Sequence, residues 1–332
     1  MKVWTPEYYR SFRCISSACP DSCCKEWEVD IDDTAAAFYR ALPGTLGDSL
    51  RAALKDTEDG TIMTIRDGRC PMWRQDGLCR IQAELGHDAL CQVCRDYPRL
   101  RHDYGDFVEY GLELSCPEAA RLILTQSHKM TVEERPGGES PEYDLEAMEI
   151  LQNSRNTILE FLDTTQLPVN HALAVLLIYA HEVQSWLDGG STAIIDTEGS
   201  ITLAKQHAAT GNWDMVLDFF RNLEILTPQW RSRLSASAKI CQWHSGYLAL
   251  AKYFIGRYWL QAVSDYDLIC RAKLIIIACL LICRLGGEFV ETAQLFSKEI
   301  ENDPDNLEAV LDGAYTSPAL TDIQLLSLLL NG

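Results

Sequence analysis

The spacing of polar and apolar residues changes near residue 130, which divides the chain into two parts. In the first part, three segments alternate polar and apolar residues, as half-buried strands do. These predicted strands cover residues 26–31, 61–65 and 107–114. Helical spacing is predicted in this part only over residues 34–42, 48–55 and 117–127. The first part is therefore expected to be a loop-rich module without a large core of its own.

Apolar residues in the second part recur three and four positions apart, which is the pattern of amphipathic helices. Asp144 is the predicted N-cap of the first helix. Asn170 is the predicted N-cap of a helix through residue 186, which Gly189 and Gly190 would stop. Further helices are predicted over residues 212–223, 228–263, 266–284, 289–301, 307–315 and 320–330. The second part is therefore expected to be all-α.

Residues 131–142 are polar and rich in turn-forming Pro and Gly, which is typical of a linker. We therefore predict a cysteine-rich metal-binding module over 1–130, a linker over 131–142 and an all-α domain over 143–332. The predicted fold class is mainly α, with short strands confined to the metal-bound module. A length of 332 residues, 47% hydrophobic and 23% charged, agrees with a globular protein of two domains.

Charge and hydropathy exclude some classes of partner. The formal net charge of −19 argues against a nucleic-acid partner, because binding to phosphates relies on clustered Lys and Arg. An acidic surface favours a basic or lysine-bearing partner instead. The longest apolar run, residues 274–283, has about half the length that a membrane-spanning helix needs. The first residues also lack the pattern of a signal peptide, so we expect a cytoplasmic protein with no membrane partner.

Cysteine is the unusual component of the composition. The chain has 13 cysteines, and nine of them fall at or before Cys116. In a reducing compartment such a group is not expected to form a disulfide framework. Metal binding by thiolates is therefore the leading interpretation. The four later cysteines, Cys241, Cys270, Cys279 and Cys283, lie in apolar helical stretches and are predicted to be buried as small hydrophobic residues.

The early cysteines form several closely spaced groups: Cys14-x4-Cys19-x3-Cys23-Cys24, Cys70-x8-Cys79, Cys91-x2-Cys94 and a single Cys116. Short spacings let one loop offer two thiolates to one metal, and distant groups close the site from other loops. Zinc and iron–sulfur clusters both accept all-thiolate ligation, so spacing alone does not choose between them. Thiols without a metal and disulfides are the third alternative.

Two observations favour iron over zinc. The only histidines before Cys116 are His87 and His102, which leaves little for the mixed Cys and His ligation that is common in zinc sites. Proline directly follows Cys19, Cys70 and Cys116, as it often does beside cysteines that ligate clusters. Cys91 precedes Cys94 by three residues and is interpreted as a spare thiol or a supplementary ligand.

The early motifs together resemble those of the flagellin lysine N-methylase (FliB) family. The resemblance is carried by Tyr8-Tyr9-x2-Phe12-x-Cys14-x4-Cys19-x3-Cys23-Cys24-x2-Trp27, Cys70-Pro71, Leu78-Cys79-Arg80-Ile81-Gln82, Cys94-Arg95-Asp96-Tyr97-Pro98-Arg99 and Leu114-Ser115-Cys116-Pro117-Glu118. The same blocks are similar to a wider group of zinc- or iron-chelating cysteine-rich domains. The resemblance covers the first 120 residues by motif, and the helical part only by general character.

The resemblance implies an enzyme that transfers methyl groups from S-adenosylmethionine to surface lysines of flagellin. It also implies a thiolate-ligated centre, with a four-iron, four-sulfur cluster (4Fe-4S) favoured and zinc as the alternative. Carried over by position, the implied ligands are Cys14, Cys19, Cys23, Cys24, Cys70, Cys79, Cys94 and Cys116. A single four-iron cluster would need only four of these cysteines.

Methylation of an amine needs no radical, since the deprotonated nitrogen displaces the methyl group from a sulfonium. The Cys-x3-Cys-x2-Cys spacing of radical enzymes is also missing, because Cys24 directly follows Cys23. We therefore predict non-radical transfer, with a cluster that is structural or that positions the cofactor. The sequence shows no Gly-rich turn of a doubly wound methyltransferase sheet, so the pocket for S-adenosylmethionine stays unassigned.

A channel for a lysine side chain would be lined by aromatic rings and an acidic or phenolic acceptor. Tyr97 and Asp96, beside Cys94, are the candidates for this lining, and packing is the alternative role for both.

Two other functions compete with the methyltransferase. One is a non-catalytic metal-binding accessory protein, and the other is a redox sensor that uses Cys23 and Cys24 or Cys91 and Cys94.

Overall fold

The computed structural model describes residues 1–25, 29–236 and 239–331. Within these ranges the strands form a four-stranded sheet of order β5-β6-β1-β7 and a three-stranded sheet of order β2-β4-β3. In the larger sheet β1 is parallel to β6, and the other pairs are antiparallel. The strands are β1 (Lys2–Pro6), β2 (Val29–Ile31), β3 (Leu54–Asp56), β4 (Thr61–Met63), β5 (Arg99–Asp103), β6 (Phe107–Leu112) and β7 (Met130–Glu134).

The three predicted strands correspond to β2, β4 and β6. Residues 26–28 of the first predicted strand, including Trp27 of the family motif, lie outside the described residues. Residues 131–134, which were predicted to begin the linker, belong instead to β7 and pair with β1 from Lys2–Glu134 to Pro6–Met130. Their polar side chains are those of an exposed edge strand, which explains why the pattern looked like a linker. The boundary between the two domains stays a prediction.

Helices make up most of the described chain, so the fold is mainly α, as predicted. The first part contains α1 (Glu7–Ser11), α2 (Asp33–Ala41), α3 (Gly44–Ala53), α4 (Arg80–Leu85), α5 (Gln92–Asp96) and α6 (Pro117–Thr125). The second part contains α7 (Leu145–Thr164), α8 (Val169–Leu187), α9 (Thr197–His207), α10 (Trp213–Arg221), α11 (Pro228–Ser235), α12 (Gly246–Tyr258), α13 (Ile269–Leu285), α14 (Phe289–Phe296), α15 (Pro304–Thr316) and α16 (Asp322–Asn331). A π-helical turn, Ser297–Glu301, extends α14. Among the described helices, none combines the length and apolar character that crossing a membrane requires.

The two predicted caps have different outcomes. Asp144 caps α7, because its carboxylate accepts from the backbone N–H groups of Glu146 and Ala147 at 2.9 and 3.1 Å. The prediction for Asn170 is wrong, because α8 begins at Val169 after Pro168. The Asn170 amide instead donates to the carbonyl of Leu329 at 2.9 Å and joins α8 to α16.

The single helix predicted over residues 228–263 is also wrong. The structure has α11 and α12 there, with a non-helical segment before Gly246. Tertiary hydrogen bonds replace helical ones in this segment: Arg284 donates to the carbonyl of Lys239 at 2.9 Å, and the Arg284 carbonyl accepts from the Lys239 N–H at 3.3 Å. Helix α9, capped by Asp196, was not predicted because little of its surface is apolar.

Two hydrophobic cores organise these elements. The larger one surrounds α13, and α6 together with residues of β6 packs onto it. The smaller one lies between the three-stranded sheet, α2 and α3, and it includes Tyr39, Met72, Cys70 and Cys91. The cysteine-rich segment therefore has a separate core, whereas the four-stranded sheet joins the helical part.

His128, which follows α6, provides a test of pH dependence. Its Nε2 bonds the carbonyl of Ile123 at 2.7 Å, and burial lowers the pKa of its imidazole from 6.5 to about 4. Between those pH values the unfolded chain takes up a proton that the folded chain refuses, so acidification removes up to about 3 kcal/mol of stability. His128→Gln should therefore flatten the fall in unfolding free energy between pH 7 and pH 4, measured by urea denaturation. The same change at the exposed His207 should leave the curve unaltered, and equal curves for wild type and His128→Gln would refute the prediction.

Candidate metal centre

The nine early cysteines all line two adjoining cavities in the first part of the chain. The larger cavity, here called the thiol cavity, has a volume of about 250 Å³. Its cysteines are Cys14, Cys19, Cys23, Cys24, Cys79, Cys94 and Cys116. The inner cavity is enclosed, with a volume of about 20 Å³, and its cysteines are Cys23, Cys24, Cys70, Cys79, Cys91 and Cys94. The structure thus brings all eight predicted ligands together, and metal ligation by them stays a prediction.

Local structure explains why these thiols converge. Cys79, Cys91 and Cys116 occupy the N-cap positions of α4, α5 and α6, so each thiol lies where backbone N–H groups are free to donate. The N–H groups of Ala119 and Glu118 lower the pKa of Cys116, although burial is the larger effect and raises it to about 12. The N-cap positions of these three helices therefore bring three of the cysteines into one region.

Backbone pairing brings the remaining cysteines into the same region. The N–H of Cys70 donates to the carbonyl of Cys24 at 2.8 Å, which places two distant loops side by side. Cys14 precedes a 3₁₀ turn, Ser16–Ala18, and Cys19 follows it. The N–H of Ser16 donates to the Cys14 sulfur at 3.4 Å. Cys14 is exposed, as are Cys23 and Cys94.

Cys23 lines both cavities, and its thiol interacts with several of the other cysteines. A hydrogen bond from Cys24 lowers the pKa of Cys23 to about 7, against the opposing effect of burial. Cys24 also bonds Cys70, and these two contacts raise the pKa of Cys24. The charge of Cys23 further raises the pKa of Cys19, Cys79, Cys94 and Cys116. Cys23 is therefore central to the thiol group.

Cys91 was interpreted as a spare thiol, and its surroundings do not set it apart. It is only 2% exposed, and it lines the inner cavity. A hydrogen bond with Cys94 lowers the pKa of Cys91 and raises that of Cys94. No local pattern indicates this burial, because the exposure of a thiol at the start of a short helix depends on the neighbouring loops.

The donor set fits a metal that prefers sulfur. Soft thiolates favour zinc or an iron–sulfur cluster over hard cations. Among the described residues, no group of three or more His, Cys, Asp or Glu side chains is arranged to hold a single metal ion. The buried amide Nδ2 of Asn302 lines the thiol cavity and has no hydrogen-bond partner among the described residues. An N–H donor at such a place suits the sulfur atoms of a cluster.

The helical part contributes one wall of the thiol cavity. Lys298, 7% exposed, lies in the π-helical turn and pairs with Asp21 at 3.1 Å. Although burial opposes it, the Lys298 ammonium lowers the pKa of Asp21. Gln294 donates to the carbonyl of Ser115 at 2.7 Å. Sequence reasoning missed both residues, because the stretch from Phe289 to Glu301 mixes polar and apolar residues and nothing local marks these two.

Tyr97 separates the thiol cavity from a second surface feature. That feature, here called the acidic groove, has a volume of about 660 Å³. Its acidic lining consists of Asp30, Asp32, Asp33, Asp59, Asp96 and Glu113. Tyr97 and Asp96, the two candidates for a lysine channel, therefore lie in the same groove. Asp96 is exposed there, whereas burial raises the pKa of Tyr97 well above its ordinary value.

A short chain of polar groups extends inward from Tyr97. The Tyr97 hydroxyl lies 3.2 Å from the Ser115 hydroxyl, which donates to the Glu113 carboxylate at 3.3 Å. Burial raises the pKa of Glu113, and the Arg257 guanidinium opposes that rise. Glu113 was not a candidate from the sequence, since a glutamate at the end of a strand usually faces solvent.

Three of the later cysteines are buried in a helix as predicted, whereas the prediction is wrong for Cys241, which lies in the non-helical segment before α12. Cys270, Cys279 and Cys283 are buried, and Cys241 is half-buried beside Cys283. The aromatic residues of α12 and the following turn are likewise core residues: Tyr247, Tyr253, Phe254, Tyr258 and Trp259 are all at most 5% exposed. None of these residues adds to the site.

The fold and the site define a mainly α-helical protein with a cysteine-lined cavity in its amino-terminal part. Two proteins named Lysine-N-methylase, from Salmonella typhimurium and Salmonella choleraesuis, are each 34% identical to it over 143 residues, which is 40% of this chain and 35% of theirs. The flagellar biosynthetic protein FliU of Salmonella muenchen is 31% identical over 147 residues, 40% of this chain and 83% of that protein. The chain belongs to the lysine N-methylase (FliB) family.

The matched segment spans only 35% of the length of the two lysine methylases. No protein-family model matches the chain. No solved structure matches it either.

Proposed function

We propose that the chain is a cytoplasmic, S-adenosylmethionine-dependent protein-lysine N-methyltransferase that acts on flagellin. The observation that carries this proposal is the 34% identity to proteins named Lysine-N-methylase. The name of FliU, a flagellar biosynthetic protein, supports flagellin as the substrate. The acidic groove supports a cationic substrate, because carboxylates on one surface attract a lysine side chain.

Glu113 and Tyr97 are the groups that would prepare the amine. A lysine ammonium must lose its proton before its nitrogen can attack, and a carboxylate with a raised pKa is a better acceptor than an ordinary one. The pKa of Glu113 is raised in this way by burial. Tyr97 would orient the amine and exclude water. The ammonium proton would pass to Glu113 before the attack, and S-adenosylmethionine would then supply the methyl group to the free amine and leave as S-adenosylhomocysteine.

The cysteines would bind an iron–sulfur cluster, favoured as 4Fe-4S, or zinc. Such a centre would cross-link the loops that carry Cys14, Cys23, Cys79 and Cys116. Tyr97 lies between this region and the acidic groove, so the centre would fix the position of the groove. The proposal keeps methyl transfer non-radical.

The test starts with anaerobic purification, metal and sulfide analysis, and incubation with labelled S-adenosylmethionine and flagellin. Glu113→Gln is expected to lower the rate of lysine labelling by about a hundredfold or more, since it removes the proton acceptor. Glu118→Gln, which changes a carboxylate paired with Arg121 outside the groove, is the matched control.

Normal metal content with lost labelling in Glu113→Gln alone would support the assignment. Unchanged labelling in that variant would remove Glu113 from the mechanism. A fully metallated wild-type chain that labels no lysine would replace the methyltransferase with the accessory function.

A further inference from the structure

The four-stranded sheet turns one face toward helices α7 and α12 and leaves a cavity of about 580 Å³ between them. We call it the sheet cavity. A polar row crosses its floor, because the register places His102 of β5 next to Glu109 of β6, and Glu109 next to Trp4 of β1. All three residues line the cavity. An inward sheet face would ordinarily be apolar and packed, so this row needs another explanation.

The floor and the walls of the sheet cavity carry charges of both signs. Glu109 is 5% exposed, and Arg155 of α7 bonds its two oxygens at 2.8 and 2.6 Å. Arg257 of α12 also lines the cavity. Burial lowers the pKa of His102, assisted by Arg257, and no described residue bonds its buried Nε2. The cavity therefore offers a neutral imidazole between fixed charges.

Helix α12 has a glycine where it borders the sheet cavity. Gly256 lines the cavity and is exposed in the last turn of α12, and glycine within a helix is destabilising relative to alanine. A Cβ added there would meet no described atom within 4 Å, so packing does not require the glycine. The absent side chain instead leaves space in the wall for a ligand.

The volume and lining define the class of ligand. A cavity of 580 Å³ falls within the range of about 300–1,000 Å³ that is typical of small-molecule sites. Trp4 offers an aromatic surface for a flat ring, and Arg257 has more N–H donors than its contacts to Tyr253 and Glu301 use. The lining carries both acidic and basic side chains, among them Asp106, Glu134 and Lys252, so it suits a ligand that has cationic and anionic groups.

We propose that the sheet cavity binds S-adenosylmethionine. The assignment rests on the proposed methyltransferase function, and it names the donor site of that enzyme. The ring would lie against Trp4, the carboxylate near Arg257, and the sulfonium and ammonium groups on the acidic side. Glu113 feels the charge of Arg257, so the donor cavity and the acidic groove approach each other at these two residues.

The experiment fills the cavity without disturbing the core. Gly256→Leu and Asn156→Trp both introduce side chains at lining positions. Asn153→Trp is the matched control, because Asn153 is an exposed asparagine of the same helix that does not line the cavity. Binding of S-adenosylmethionine is measured by titration calorimetry on the anaerobically purified, metallated full chain, with melting temperature and metal content recorded for each variant.

Both cavity variants are expected to bind S-adenosylmethionine at least about tenfold more weakly, whereas Asn153→Trp binds as wild type does. Gly256→Leu should melt at or above the wild-type temperature, since leucine favours helix more than glycine. Wild-type affinity in both cavity variants would overturn the donor site but leave the proposed function standing. Absence of binding in the wild type would overturn both. The expected losses without methylation of flagellin would keep the site and reject the function.

Discussion

Replacing Arg257 by methionine is expected to lower the free energy of unfolding by about 3–5 kcal/mol. The Glu301 side chain is 0% exposed, and the Arg257 Nε lies 3.4 Å from its Oε1. The hydroxyls of Tyr253 and Tyr258 also donate to Glu301, at 3.1 and 2.9 Å. These two hydrogen bonds cannot replace the lost cation, so the variant contains a buried carboxylate without a counter-charge. Chemical denaturation followed by circular dichroism measures the loss.

A surface pair provides the control for this prediction. Arg74 and Asp76 lie 2.6 Å apart in an exposed loop, and Arg74→Met should change stability by no more than about 1 kcal/mol. The double variant Arg257→Met/Glu301→Gln should recover part of the loss, because the uncompensated charge is gone. A loss below about 1 kcal/mol in Arg257→Met would mean that the buried carboxylate does not need the arginine.

If the thiols bind a metal as proposed, its removal is expected to unfold the cysteine-rich segment while the helical part stays folded. Among the described residues the smaller core contains 14 buried ones, two of which are Cys70 and Cys91, and a core of that size rarely supports a fold alone. Thiolate-bound structural metals contribute on the order of 10 kcal/mol to folding. Anaerobic chelation should therefore expose the region of Cys14–Cys94 to proteolysis before α7–α16.

Substitution tests the same dependence one thiol at a time. Cys23→Ser should lose metal and gain the protease sensitivity of the chelated protein, because Cys23 lines both cavities. Cys270→Ser alters a buried cysteine far from them and should keep wild-type metal content. Equal metal content and equal resistance in both variants would show that Cys23 is not a ligand.

The convergence of the cysteines was predictable because most of it depends on short spacings and on cysteines at helix starts. The wall formed by Lys298 and Asn302, with Gln294 beside it, was not predictable. These residues lie in the last part of the chain, and the contacts of Lys298 and Gln294 with Asp21 and Ser115 join segments that no local pattern connects. The prediction of a single helix over residues 228–263 was wrong for a related reason. Tertiary hydrogen bonds between Lys239 and Arg284 override the local helical spacing.

The polar floor of the sheet cavity was likewise not predictable from the sequence. Alternation correctly assigned residues 107–112 to a strand, with Glu109 at a polar position. A polar position usually points to solvent, and the pattern contains no information about a helix that covers it. Only the placement of α7, with Arg155 above Glu109, shows that this face is interior.

The position of β1 has a consequence for biosynthesis. Residues 2–6 lie between β6 and β7, whose residues follow about a hundred positions later. A ribosome therefore releases the middle strand long before either neighbour exists, and the early strand must wait with its backbone unpaired. Eight of the nine early cysteines lie between β1 and β6, so the proposed centre could assemble before the sheet forms.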